Sequence, residues 1–258
     1  KHQWTGETVN EHANAITTLR LNRPEKRNAL TLEMIHAIGD GLAAAAADDD
    51  CRCIVITGNG GNLAAGRDLG EASADDTLEH MLNNDDAWTR IFEILNAMTK
   101  STVAVVEGYA VAGGFTLAMG CDFVLAERGA KFGALEMRGG FPAAINTAVL
   151  SRLVGPRQSL ELLLSADLFG AEHLYRMGLI NKLADGSDAL AAIANDFTAR
   201  LTALDPVSVR LTKETHRAMA TLPMSDALLV GKQLNTLMMS SGKIDEAARI
   251  YAESKKVG

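Results

Sequence analysis

The stretch Thr102-Val-Ala-Val-Val-Glu-Gly-Tyr-Ala-Val-Ala-Gly-Gly-Phe-Thr-Leu-Ala-Met119 decides how the rest of the chain is read. Val103, Val105 and Val106 mark a buried strand, Gly108 a turn, and a loop of small residues runs to Gly113-Gly114, with a helix opening at about Phe115. Glycines just ahead of a helix let the backbone turn sharply and leave N–H groups unpaired at its positive end, where an anionic oxygen is stabilised. An oxyanion site is therefore the leading expectation for this loop. A plain βα turn, in which glycine only supplies an unusual φ, is the alternative.

Working outward, Ile16 to Leu21 reads as a strand, followed by the polar turn Asn22-Arg-Pro-Glu-Lys-Arg-Asn28. Leu32, Ile35, Ile38 and Leu42 recur at helical spacing, with Thr31 as N-cap and Asp48-Asp-Asp50 as the end. Arg52 to Thr57 is a second strand and runs into another glycine-rich loop, Gly58 to Asp68. Leu78, Met81, Leu82, Trp88, Ile91, Phe92, Leu95 and Met98 fit one core-facing stripe of a long helix that returns the chain to Thr102. Strand, helix and strand, with small loops after each strand, predict an α/β protein.

Beyond Met119, short apolar segments at Phe123–Ala126 and Lys131–Gly133 precede helices over Ala144–Leu153, Gln158–Leu164 and Ala171–Met177, then a strand-like Leu179–Leu183. From about Ala189 strand signals stop, and three helical segments follow, broken near Asp205-Pro206, Leu222-Pro223 and Ser241-Gly242. The expected organisation is an α/β core over 1–195 and a helical region over 196–258.

The 258 residues are 47% hydrophobic and 22% charged, ordinary for a globular protein, and the net charge of -7 argues against a general nucleic-acid binder. Cys51, Cys53 and Cys121 are too few for a disulfide framework, which suggests a reducing, cytoplasmic setting. Cys51-x-Cys53 has no companion Cys or His pair and reads as small buried residues, not a metal site. No apolar run is long enough to span a membrane, and no secretory signal pattern is seen.

Gly108-x-x-x-x-Gly113 has the outer spacing of a P-loop, but Gly114-Phe115 stands where Lys-Ser/Thr is required. Gly58-Asn-Gly60 begins like a dinucleotide fingerprint, yet Leu63 occupies the sixth position. Glu136 lies among small and apolar residues, where a carboxylate loses solvation and is suited to acid–base work near neutrality; a surface glutamate in a loop is the alternative. The histidines at 2, 12, 36, 80, 173 and 216 show no zinc-protease spacing, and no Gly-x-Ser-x-Gly is present, so zinc and serine-triad chemistry lack support.

Residues 106–123, Val-Glu-Gly-Tyr-Ala-Val-Ala-Gly-Gly-Phe-Thr-Leu-Ala-Met-Gly-Cys-Asp-Phe, resemble the central signature of the crotonase, or enoyl-CoA hydratase/isomerase, superfamily. Four further segments resemble the family in order and spacing: 21–30 (Leu-Asn-Arg-Pro-Glu-Lys-Arg-Asn-Ala-Leu), 63–69 (Leu-Ala-Ala-Gly-Arg-Asp-Leu), 131–136 (Lys-Phe-Gly-Ala-Leu-Glu) and 170–180. The resemblance implies a spiral of repeated ββα units with a helical C-terminal region used in forming a trimer, often a dimer of trimers. It implies an acyl-CoA thioester as substrate, with no cofactor beyond the coenzyme A of that substrate. The family's oxyanion hole uses backbone N–H groups that match Arg67 and Gly113. By the same resemblance Lys26, Arg27 and Ala29 lie along the CoA, Ala65, Gly66 and Asp68 shape the loop beside the thioester, and Gly114 adjoins it.

Two departures stand out. Typical hydratases hold one water between two glutamates, at positions that match Thr116 and Glu136, and here only the second is a carboxylate. A threonine hydroxyl hydrogen-bonds but is too weak an acid or base to replace it. A single glutamate suits proton shuttling between carbons, as in enoyl-CoA isomerases; a one-glutamate hydratase, C–C cleavage and a noncatalytic acyl-CoA binder are the alternatives. The loop after Glu136, Arg138-Gly-Gly-Phe-Pro-Ala-Ala-Ile-Asn-Thr147, also lacks the Pro-Gly-x-Gly-Gly-Thr form usual in hydratases, so the acyl group stays open.

Overall fold

The computed structural model describes residues 7–68, 70, 77–242, 248 and 249. Leu69, which ends the second glycine-rich motif, His2, and residues 243–247 and 250–258 of the expected C-terminal region lie outside the described residues. In chain order the elements are β1 (Thr8–Ala13), β2 (Ile16–Leu21), α1 (Leu32–Ala47), β3 (Cys53–Gly58), α2 (Leu78–Ala97), β4 (Ser101–Val106), β5 (Tyr109–Val111) and α3 (Gly113–Met119). Then come β6 (Phe123–Glu127), β7 (Lys131–Gly133), α4 (Ala144–Leu153), α5 (Pro156–Leu164), β8 (Phe169–Gly170), α6 (Ala171–Arg176), β9 (Lys182–Ala184), α7 (Ser187–Thr202), α8 (Pro206–Met219) and α9 (Met224–Ser240).

The large sheet has the order β1-β2-β3-β4-β6-β9 and is parallel except for the β1-β2 hairpin. Its central strands are apolar on both faces because both faces are covered. Ile54, Ile56, Ala104, Val106, Val124 and Ala126 point into a core shared with α1, α2 and α3. The alternate residues Cys53, Val55, Val103 and Leu125 point the other way, onto Leu190, Ile193, Phe197 and Leu201 of α7.

The second sheet, β5-β7-β8, is what makes the fold a spiral. β4 is followed by β5, and β6 by β7, so each unit places one strand in the large sheet and the next in a second stack. Parallel bridges extend that stack through the glycine-rich loops, pairing Leu30 with Arg67 and Ala64 with Ala110. These are the repeated ββα units that the sequence motifs imply.

Three details differ from the sequence reading. Tyr109–Val111 is a strand, not a loop, and the helix after it opens at Gly113 instead of Phe115. The apolar stripe of α2 is buried only from Trp88 onward, while Leu78 is 72% exposed and Met81 and Leu82 also face outward. Residue 195 falls inside α7, which packs on the sheet; the chain divides into two compact units after Pro206, the second containing α9 and nearly all of α8. Among the described residues no helix is long and apolar enough to cross a membrane.

Candidate active site

The polar turn after β2 is built around Asn28, which is fully buried with a positive φ. Its Nδ2 donates to the carbonyls of Asn59 (2.9 Å) and Asn62 (2.8 Å), and its Oδ1 accepts from the Arg23 amide (2.8 Å). All of its hydrogen-bonding hydrogens are used, so it ties the 23–28 turn to the glycine-rich loop after β3. Lys26 and Arg27 project from this turn as exposed cations, with the Arg27 guanidinium 5.2 Å from the centre of the Tyr109 ring. Arg27 also accepts a backbone bond from Ala65 (3.0 Å).

Arg23 is differently placed. Its guanidinium donates to the Asp68 carboxylate and to the Ala29 carbonyl (3.2 Å) and lies 3.5 Å from Glu7, which in turn accepts from Thr31, the N-cap of α1. Arg23 and Asp68 side chains are only 17% and 21% exposed. The hydrogen bond from Arg23, followed by that from the Gly70 amide, holds the Asp68 carboxyl below its usual range, and the same bond raises Arg23. Asp68 is thus a structural anchor of the 64–68 loop.

That loop is held on both sides. Leu30 donates to Gly66 (2.7 Å) and accepts from Asp68 (2.8 Å), while Ala64 donates to Tyr109 (3.0 Å) and accepts from Val111 (3.1 Å). Because Leu30 bonds the residues flanking Arg67, the Arg67 N–H points away from Leu30, and it donates to no acceptor among the described residues. Its side chain turns to α2, where it pairs with Asp85 at 2.7 Å. Gly66 has φ +97°, and a β-carbon there would meet the Ala112 Cβ at 2.9 Å, so the two loops touch.

Ala112, the N-cap of α3, has φ 47° and ψ −118°, which few L-residues adopt. Its amide donates to Gly133 (2.8 Å), and its carbonyl accepts from the Thr116 amide (3.0 Å), the Thr116 hydroxyl (3.1 Å) and Asn146 Nδ2 (3.3 Å). As the first residue of the helix, Gly113 has no intrahelical acceptor, and its N–H meets none elsewhere among the described residues. A β-carbon on Gly113 would lie 3.6 Å from the Arg67 nitrogen, and one on Gly66 would lie 3.6 Å from the Gly113 nitrogen. Two unpaired backbone donors from different loops therefore stand side by side.

Glu136 opens a short 3-10 helix, Glu136–Gly139, and is half-buried. Its Oε1 accepts from Asn146 Nδ2 at 2.8 Å, while Oε2 is buried without a hydrogen-bond partner. Asn146, on α4 and 1% exposed, was not singled out in the sequence, although a polar residue one turn before buried Leu150 is a usable signal. Thr116 is also 1% exposed, and its hydroxyl proton is committed to Ala112. Among the described residues no cluster of His, Cys, Asp or Glu could hold a metal ion.

Residues 11–258 match the enoyl-CoA hydratase/isomerase family. The chain belongs to that family. It is 33% identical over 208 residues to the crotonyl-CoA hydratase of Syntrophomonas wolfei, covering 79% of this chain and 78% of that one. It is 31% identical to the 2,3-dehydroadipyl-CoA hydratase of Escherichia coli K12, covering 93% of each. Among solved structures, an enoyl-CoA hydratase subunit I from Geobacillus kaustophilus superposes with a TM-score of 0.86 at 28% identity, over 96% of both chains. The crotonase-type architecture and the enzymatic nature of the family follow directly, and the spiral described above is that architecture in this chain.

Proposed function

We propose that this enzyme binds an enoyl-CoA, polarises its thioester carbonyl with the Arg67 and Gly113 amides, and moves a proton along the acyl chain with Glu136. The observation that carries the reading is the disposition of the two polar residues near α3: Glu136 keeps one buried carboxylate oxygen without a partner, whereas the Thr116 hydroxyl donates to its own helix. One carboxylate, with a threonine at the second position, favours isomerisation. Glu136 takes a proton from carbon 2 of a 3-enoyl thioester, the electron pair moves onto the thioester oxygen as a dienolate, and the same carboxyl returns the proton at carbon 4. The negative charge that develops on that oxygen is met by the two amides.

Lys26 and Arg27, exposed on the turn bonded to Ala65, supply positive charge for the CoA phosphates on an otherwise acidic chain, with Ala29 beside them. Ala65, Gly66 and Asp68 shape the loop that presents Arg67, and Gly114 packs the helix that presents Gly113. Hydration is the second reading, favoured by the names of the relatives and by two buried oxygens that lack donors, Glu136 Oε2 and Asn146 Oδ1. Each can accept a hydrogen bond from water.

A panel of 2-enoyl- and 3-enoyl-CoA thioesters separates the readings: isomerase activity interconverts them, hydration removes the enoyl absorbance of the 2-enoyl member, and a binder gives saturable affinity without turnover. Glu136→Gln is expected to lower kcat about 10²–10⁴-fold with KM little changed, since it removes proton transfer but not CoA binding. Retained turnover in that variant would overturn the assignment.

A further inference from the structure

We infer that Asn146 is a positioning residue that aligns the proton-transfer group and one oxygen-binding amide with a single side-chain nitrogen, an inference that rests on the roles given above to Glu136 and Gly113. Both partners of Asn146 Nδ2, the Glu136 carboxylate at 2.8 Å and the Ala112 carbonyl at 3.3 Å, can only accept. The amide nitrogen must therefore face them, and each of its two hydrogens has one partner. With Oε1 held in this way, Oε2 is the oxygen of Glu136 left to carry the proton.

The second contact acts through the peptide between Ala112 and Gly113. No cis peptide occurs among the described residues, so the carbonyl of Ala112 and the N–H of Gly113 point in opposite directions across one rigid plane. Whatever fixes that carbonyl aims that N–H. Three donors converge on it, two from Thr116 and one from Asn146, and they hold Ala112 in a conformation it would not choose alone. Thr116, where the family pattern has a carboxylate, then serves as a clamp on the peptide plane, with Asn146 linking that clamp to Glu136. The side chain of Asn146 is 1% exposed, so the linkage is shielded from exchange with solvent.

The test compares Asn146→Leu, similar in size but unable to donate, with Asn146→Ala, each alone and combined with Glu136→Gln. Turnover is read on the enoyl-CoA panel, affinity on a saturated acyl-CoA, and carbonyl polarisation by the absorbance shift of a bound conjugated dienoyl-CoA. The single variants are expected to lose about 10- to 100-fold in kcat and to shrink the absorbance shift, with saturated acyl-CoA affinity kept within about threefold. In the Glu136→Gln background the further loss in kcat is smaller than in the parent, because part of the effect travels through that carboxylate. If one Asn146 variant folds with parental kcat and an unchanged absorbance shift while Glu136→Gln is inactive, this inference falls and the proposed function stands. If Glu136→Gln retains turnover, the function itself falls. Should Asn146→Leu not fold, Asn146→Ala gives the same readouts.

Discussion

Ala112 shows how a single residue can carry strain for a purpose. A positive φ of this kind costs an L-residue on the order of 1–3 kcal/mol, and the bond that Ala112 donates to Gly133 and those it accepts from Thr116 and Asn146 offset it. Asp68 contributes by another route, through charge. Its carboxyl titrates lower in the folded protein than in the unfolded chain, so the stabilisation is complete above the ordinary carboxylate range near pH 4 and is lost as pH falls through the lowered folded value. Asp68→Asn is accordingly expected to cost about 1–2 kcal/mol at pH 7. Denaturant unfolding at pH 7 and pH 3 checks this, and the gap between parent and variant should narrow at the lower pH; a gap that widens would exclude the pairing as its source.

At the scale of elements, α3 can approach the 64–68 loop only because Gly114 has no side chain: a β-carbon there would stand 2.3 Å from the Ala64 oxygen. Gly114→Ala is expected to destabilise by about 2 kcal/mol or more and to lower activity in whatever fraction folds, as read by thermal unfolding and turnover per folded molecule. Elements with several turns or a full alternation were legible from the chain. α1 with its Thr31 cap, β2, β3, β4 and the last three helices stand where periodicity and Gly or Pro punctuation put them. β5, β7 and β8 are three residues or fewer, too short to show a period, and they exist because neighbouring turns of the spiral pair with them. The same limit applies within the site. The glycine loops and Glu136 stood out by composition, but Asn146 and Arg23 act through partners distant in sequence, and no local pattern reports such a contact.

For the whole molecule, the open question is assembly. α9 exposes Leu228, Leu229, Leu237 and Met239, and the first unit exposes Leu160, Leu164 and Leu168. Apolar surface of this kind is usually covered in an oligomer. A trimer, or a dimer of trimers, is the proposed state, and light scattering should give a mass of three or six chains; a monomer at micromolar concentration contradicts it. The stacked bridges of the second sheet carry a further consequence. The bridge between Ala64 and Ala110 sets the 64–68 loop beside β5, the strand that leads into Gly113, so the two amides come from adjacent layers. The ruler that sets the 64–68 loop beside β5 is a backbone bridge, whose pitch no side chain sets, and the arginine at position 67 sends its side chain away to Asp85.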